Sequence, residues 1–70
     1  MFWWFERAGR FVRCNSQAVP GDGYELRIMS PDGSEQVERF TASAELAKRQ
    51  ETLESEFHAA GWTGPHGWNI

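Results

Sequence analysis

Apolar and polar residues alternate in short runs through the first 40 positions, and turn residues separate the runs. Aromatic and β-branched residues flank Ala8-Gly9, which predicts a β-hairpin over residues 2–16. Residues 24–29 alternate as a third strand, and residues 35–40 form a fourth. The segment Ser-Pro-Asp-Gly at residues 30–33 is typical of a β-turn, because proline suits its second position. The pattern therefore predicts four antiparallel strands joined in sequence order.

The spacing of apolar residues changes after the fourth strand. Leu46, Leu53 and Phe57 recur at helical spacing, which predicts one amphipathic helix over roughly residues 42–60. We expect its apolar stripe to pack on one face of the sheet. The expected core is Leu26, Ile28, Leu46, Leu53 and Phe57.

Both ends of the helix carry recognisable capping residues. Thr41 and Ser43 are both good N-caps, because a side-chain oxygen can accept from a free backbone N–H of the first turn. Gly61 stands where a left-handed glycine ends many helices, and Trp62 follows as the apolar residue that folds back on the last turn.

The predicted fold class is α+β: a four-stranded antiparallel β-meander with one C-terminal α-helix packed on one face. We expect one small domain over residues 1–62. Residues 63–70 show no periodic spacing of apolar residues. We expect them to form a Gly/Trp-containing tail that is either loose or held in place by Trp68.

Two registers are open for the first hairpin. A two-residue turn at Ala8-Gly9 needs a positive φ at alanine and places two like charges, Arg7 and Arg10, opposite each other. A three-residue loop, residues 7–9 with glycine in the left-handed region, avoids both costs. We therefore favour the longer loop, which sets Trp4 opposite Val12.

The second hairpin also allows two registers. A four-residue loop sets Ile28 opposite Val37 and Arg27 opposite Glu38, which matches apolar to apolar and charge to counter-charge. A tighter Pro-Asp-Gly loop with a bulge at Gly33 shifts this register by one residue. Such a shift turns every side chain of the strand to the other face.

Four consecutive aromatic residues, Phe2-Trp3-Trp4-Phe5, make the first strand unusual. Successive strand side chains point to opposite faces, so each face receives two aromatics whatever the register. One helix covers one face, and the other face keeps an apolar patch of the kind that marks interaction sites. In the favoured register the open interaction face carries Trp3, Phe5, Phe11, Arg13, Arg27 and Met29. In the other register its exposed aromatics are Phe2, Trp4 and Phe11.

Composition narrows the class of protein. The 70 residues are 40% hydrophobic and 14% aromatic, too apolar for a disordered chain. Charged residues interrupt every apolar run, so we expect no membrane span and no membrane partner. A single cysteine, Cys14, suits a reducing compartment, and the apolar start ends at Glu6, too early for a secretory signal. These features predict a cytoplasmic protein.

Side chains suited to catalysis or metal binding are sparse. Cys14, His58 and His66 are the soft ligands of the chain, and their spacing lacks the close pair of most metal sites. Glu51 and Glu54 share a helix face with His58, but acid–base chemistry needs a desolvated cleft that one helix on a small sheet does not provide. We expect no catalytic residue, no metal and no cofactor, and therefore no enzyme.

The sequence favours a small interaction domain that self-associates as a homodimer or binds a protein partner through the open face. Back-to-back sheets would supply the burial that a 70-residue core lacks. The alternative is a module that binds single-stranded nucleic acid, since aromatics and arginines on a sheet stack bases and neutralise phosphates. The order β-β-β-β-α is similar, in element order alone, to the single-stranded-DNA-binding modules of the Whirly and Pur-alpha type. A net charge of −3 opposes that alternative.

Overall fold

A computed structural model of the chain describes residues 1–67, which form one antiparallel sheet and one helix. The elements are β1 (Phe2–Arg7), β2 (Arg10–Val19), β3 (Gly23–Met29), β4 (Glu35–Phe40), α1 (Ser43–Ala59) and β5 (Thr63–His66). The strand order in the sheet is β4-β3-β2-β1-β5. The α+β class and the four-stranded meander with a C-terminal helix are confirmed, and a fifth short strand extends the sheet.

The fifth strand lies in the segment that we expected as a tail. β5 pairs antiparallel with β1, with His66 opposite Trp4 and Thr63 opposite Glu6. Gly64 permits this pairing, because a Cβ at that position would lie 2.9 Å from the carbonyl oxygen of Trp4. The folded unit therefore extends beyond the expected boundary at residue 62. The expected role of Trp68 concerns a residue outside the described part of the chain.

The first hairpin adopts the two-residue turn, so the register that we favoured is wrong. Ala8 has a φ of 50° and Gly9 a φ of 78°, as a type I′ turn requires. Trp3 consequently lies opposite Cys14, and Phe5 opposite Val12.

A tertiary contact explains this register. Phe5 stacks on Phe57 of the helix with ring centroids 4.7 Å apart, whereas the other register would have turned Phe2 and Trp4 to the helix in place of Trp3 and Phe5. Either register buries two aromatics of β1, so the difference lies in how the rings fit: a stacked aromatic pair adds about 0.5–1.5 kcal/mol, which is comparable with a strain of about 1–2 kcal/mol at Ala8. Arg7 and Arg10 do face each other, but both are exposed, and water screens their repulsion.

The second hairpin adopts the tighter of its two loops. Arg27 lies opposite Val37, one residue away from the register of the four-residue loop. Gly33 takes a φ of 89°, and its N–H donates to the carbonyl of Ser30. Asp32 accepts from both the backbone N–H and the hydroxyl of Ser34, which lowers the pKa of Asp32 and holds the loop. Val37 is therefore on the face away from the helix.

The helix begins at Ser43, and its N-cap is Ala42, which makes no side-chain capping bond. The hydroxyl of Thr41 instead donates to the Glu45 carboxylate, so neither expected N-cap side chain acts. The C-terminal prediction is confirmed: Gly61 has a φ of 89°, and the N–H of Trp62 donates to the carbonyl of Phe57. The Trp62 ring also packs edge-on against Phe57.

The core lies between the helix and one face of the sheet. The expected core residues Leu26, Ile28, Leu46 and Leu53 are buried together, and Phe57 packs against them half-buried. The sheet adds further buried side chains to this cluster: Trp3, Phe5, Val12 and Cys14. Within residues 1–67, no helix is both long enough and apolar enough to cross a membrane.

Candidate interaction face

The face of the sheet opposite the helix carries an aromatic patch, which we define as Phe2, Trp4 and Phe11 around Arg13. Alternation along β1 and β2 places all four side chains on this side, since their neighbours Trp3, Phe5, Val12 and Cys14 point to the core. Phe2 is 37% exposed and Phe11 39% exposed, whereas Trp4 is half-buried. Large apolar side chains are thus presented to solvent from rigid strands.

Four of the six residues that we expected on the open interaction face are there: Phe11, Arg13, Arg27 and Met29. The other two are not, because Trp3 is 2% exposed and Phe5 is 1% exposed. The one-residue register difference turned both side chains into the core, and Phe2 and Trp4 took their places. The fit of Phe5 against Phe57 shows which two aromatics of β1 point to the core, and this fit depends on where the helix lies.

Arg13 is the centre of the patch. It lies opposite Trp4 on one side and opposite Met29 on the other. Its side chain makes no ion pair or hydrogen bond within residues 1–67. A groove of about 230 Å³ runs between Phe2, Trp4, Phe11 and Arg13, and one of about 260 Å³ lies between Phe11, Arg13 and the loop after Met29. The guanidinium is therefore available to a ligand that lies in either groove.

The Trp4 ring packs against β5 and the residue after it. Its centroid is 6.0 Å from the ring of His66 and 5.9 Å from that of Phe2. Gly67 packs beneath the six-membered ring, because a Cβ there would lie 2.8 Å from Cε3 and nearer still to Cζ3. This packing fixes the orientation of the indole, so little side-chain entropy is left to lose on binding.

Ion pairs occupy the other half of the face, on β3 and β4. Arg27 donates to Glu25 at 2.6 Å and to Glu35 at 3.1 Å, and the bond to Glu25 is the main cause of its raised pKa. Arg39 lies 3.5 Å from Glu25 and 3.1 Å from Asp22. Glu25 is buried beneath these two arginines. The charges here largely neutralise one another, so this half offers a polar surface with both signs of charge.

Cys14, His58 and His66 do not come together in one cluster within residues 1–67. Cys14 is buried in the core, and desolvation raises the pKa of its thiol to about 12, so it is protonated at neutral pH. Nε2 of His58 lies 2.5 Å from the carbonyl oxygen of Gly64, a contact that joins helix and β5. Nε2 of His66 lies 3.2 Å from the Thr63 hydroxyl. The described residues contain no cluster of His, Cys, Asp or Glu suited to a metal ion.

The expected acid–base residues of the helix also remain apart from any cleft. Glu51 and His58 are exposed and Glu54 is half-buried. None of them lines the grooves on the open face.

Comparison with known protein families, with curated proteins and with solved structures found no match. The open face is therefore interpreted from its own chemistry.

Proposed function

We propose that the protein is a small, non-enzymatic interaction domain that binds a protein surface through the open face of its sheet. The observation that carries this proposal is the aromatic patch, in which Phe2, Trp4 and Phe11 surround an arginine without an ion-pair partner among residues 1–67. Exposed apolar patches of this kind are typical of interaction sites.

The composition of the open face supports a protein as the ligand. Aromatic residues, Met and Arg are enriched at the centres of protein interfaces and contribute most of their binding energy. The open face combines all three kinds, and its polar rim is supplied by the ion pairs of β3 and β4. A rim that carries both signs of charge suits a protein surface, which is itself of mixed charge.

A single-stranded nucleic acid is the second candidate ligand. Arg13, which has no ion-pair partner among the residues that the structure describes, lies next to Trp4 and favours this ligand, because an aromatic ring can stack on a base while the guanidinium neutralises a phosphate. Glu25 and Glu35 on the same face oppose it, as does the net charge of −3. The charge balance therefore ranks the nucleic acid below a protein.

The proposal also includes a cytoplasmic location and the absence of catalysis. The single buried thiol Cys14 is compatible with a reducing compartment. Its raised pKa removes the reactive thiolate that a cysteine enzyme requires.

The proposal is tested by selecting peptide ligands from a random display library on immobilised protein at nanomolar concentration. We expect the selected peptides to bind the wild type and to lose at least about tenfold in affinity to Phe11→Glu, since a charge would be buried in the interface. Thr52→Glu is the matched control, because it adds the same charge on the exposed side of the helix. Circular dichroism checks that each variant is folded.

Two outcomes would overturn the proposal. One is that the selected peptides bind Phe11→Glu as tightly as the wild type, which would place their site elsewhere. The other is that no peptide is enriched while a labelled oligothymidine binds the wild type at low salt and fails to bind Arg13→Ala. Affinity for the oligonucleotide that falls steeply with salt would then assign the face to nucleic acid.

A further inference from the structure

The two hairpins that form the sheet carry opposite charge. Residues 1–19, which contain β1 and β2, hold three arginines against one glutamate. Residues 20–40, which contain β3 and β4, hold five acidic residues against two arginines. Of these three arginines only Arg13 alternates onto the open face, because Arg7 and Arg10 have the parity of Phe5 and Val12. The row of open-face side chains that contains it, Trp4–Arg13–Met29–Glu35, carries a cation on β2 and a carboxylate on β4.

The register places apolar side chains in both halves at matching heights along the strands. Phe2 and Val37 occupy the two ends of one row, which runs from β1 through Asn15 and Arg27 to β4. Val37 is 42% exposed, the largest exposure among the large hydrophobic residues of β1 to β4. The helix does not cover this side chain, because the helix packs on the opposite face of the sheet.

From these two observations we infer that the ligand of the open face is a second copy of this chain, an inference that rests on the proposed function. The two-fold axis runs parallel to the strands, in the plane between the two sheets and above the gap between β2 and β3. It places β1 and β2 of one copy over β4 and β3 of the other. Each row of side chains then meets the same row in reverse order. Such an interface is isologous, so every contact occurs twice.

This arrangement provides partners for the exposed side chains. Phe2 lies over Val37 of the second copy, which pairs two exposed apolar residues. Arg13 lies over Met29 of the second copy and one strand away from its Glu35, at the lateral distance of about 4.8 Å that separates strands. A long guanidinium side chain spans that distance. The arginine that is unpaired among residues 1–67 of one chain thereby gains a carboxylate.

The size of the face sets the expected affinity. The four strands that overlap in this arrangement, about 4.8 Å apart and six to ten residues long, present on the order of 400–500 Å². A standard stable interface buries about 800 Å² on each partner. A face of roughly half that size is expected of a weak dimer, one that forms at high micromolar concentration and dissociates on dilution.

Sedimentation velocity with charge-reversed variants tests the inference. We expect the wild type to sediment at twice its 8.0 kDa chain mass at high micromolar concentration and low salt. Arg13→Glu and Glu35→Arg should each weaken the dimer about tenfold or more, because each places like charges together twice. Lys48→Glu, on the exposed surface of the helix, is the control and should leave the dimer unchanged.

An equimolar mixture of the two reversed variants is the decisive sample. In a mixed dimer, the glutamate introduced at position 13 of one copy faces the arginine introduced at position 35 of the other. The native pair of Arg13 and Glu35 is retained at the second contact. We therefore expect the mixture to recover wild-type affinity, a result that a folding defect in either variant could not produce.

Failure of the inference is distinguishable from failure of the proposed function. A wild type that stays monomeric at high micromolar concentration overturns the second copy as ligand, and peptide binding that is lost in Phe11→Glu would then still support the open face as a binding site. A dimer that both reversed variants leave intact, or that their mixture does not restore, overturns the arrangement.

Discussion

Arg49 of the helix forms a two-point ion pair with Glu38 of β4, with Nε 2.8 Å from Oε1 and Nη2 3.1 Å from Oε2. The two side chains are 27% and 22% exposed, so water screens the pair only in part. β4 is an edge strand whose Val37 points away from the helix, and this ion pair is its main polar connection to α1 among the described residues. The bond from Arg49 is the largest cause of the lowered pKa of Glu38.

Glu38→Gln tests the contribution of that pair to stability. We expect it to lower the free energy of unfolding by about 1–2 kcal/mol near pH 7, between the values typical of exposed and buried pairs. Because the folded-state pKa of Glu38 is lowered, its contribution is present above the ordinary glutamate value of 4.5 and is lost as the pH falls through the folded-state value.

The difference in free energy of unfolding between the wild type and Glu38→Gln should therefore become smaller when urea unfolding is repeated near pH 3. Glu56→Gln is the control. Glu56 makes a single exposed contact with Arg49 at 3.3 Å, so its loss should cost less than about 0.5 kcal/mol. Equal effects of the two substitutions at neutral pH would contradict the importance of Glu38.

The turn of the first hairpin offers a stabilising substitution. Asn tolerates a positive φ better than Ala, and Asn-Gly is the preferred type I′ pair, so Ala8→Asn should raise the free energy of unfolding by about 0.5–1 kcal/mol. Ala8→Val should have the opposite sign, because β-branched residues resist a positive φ. Thermal unfolding measures both. A destabilised Ala8→Asn protein would argue for the three-residue loop.

The packing of Gly67 beneath Trp4 is tested by two matched alanine substitutions. Gly67 and Gly21 both have a positive φ, 84° and 74°, so alanine is strained at either position. A Cβ at Gly21 meets no atom within 4 Å, whereas one at Gly67 overlaps the Trp4 ring. Gly67→Ala should therefore cost about 1–3 kcal/mol more than Gly21→Ala in urea unfolding. Equal losses would mean that Trp4 does not rest on Gly67.

The thiol of Cys14 should be nearly inert in the folded protein. A pKa raised from 9.0 to about 12 lowers the thiolate fraction near pH 8 about a thousandfold. We expect an aromatic disulfide reagent to label Cys14 at the rate at which the fold opens, and to label it at once in denaturing urea. Fast labelling without denaturant would reopen the question of a reactive cysteine.

The elements of this fold could be predicted because their signals are local. Two turns, one period-2 strand and one apolar helical stripe define the meander and the helix, and Gly61 with Trp62 defines the helix end. Each of these signals lies within a few residues of the structure that it specifies. The helix start was less predictable, because Thr41 bonds to Glu45 instead of to a backbone N–H.

The two registers could not be predicted from local rules, because non-local packing decides them. Strain at Ala8 is a small local cost, and packing between residues more than fifty positions apart, such as Phe5 on Phe57, offsets it. The register of the first hairpin decides which aromatic side chains lie on the open face. Alternation predicts that two aromatics of β1 lie on the open face, but the helix position determines that they are Phe2 and Trp4.

The short strand β5, Thr63–His66, also affects how readily the chain aggregates. It pairs with Trp4 and Glu6 on the outer edge of β1, the strand that contains the segment Phe-Trp-Trp-Phe. An unprotected edge of that composition would be a template for end-to-end association of sheets and for aggregation. Four residues without any strand signal of their own thus protect the part of that edge from Trp4 to Glu6. Cutting the chain after Gly61 would expose an aggregation-prone strand without removing any of the buried core side chains.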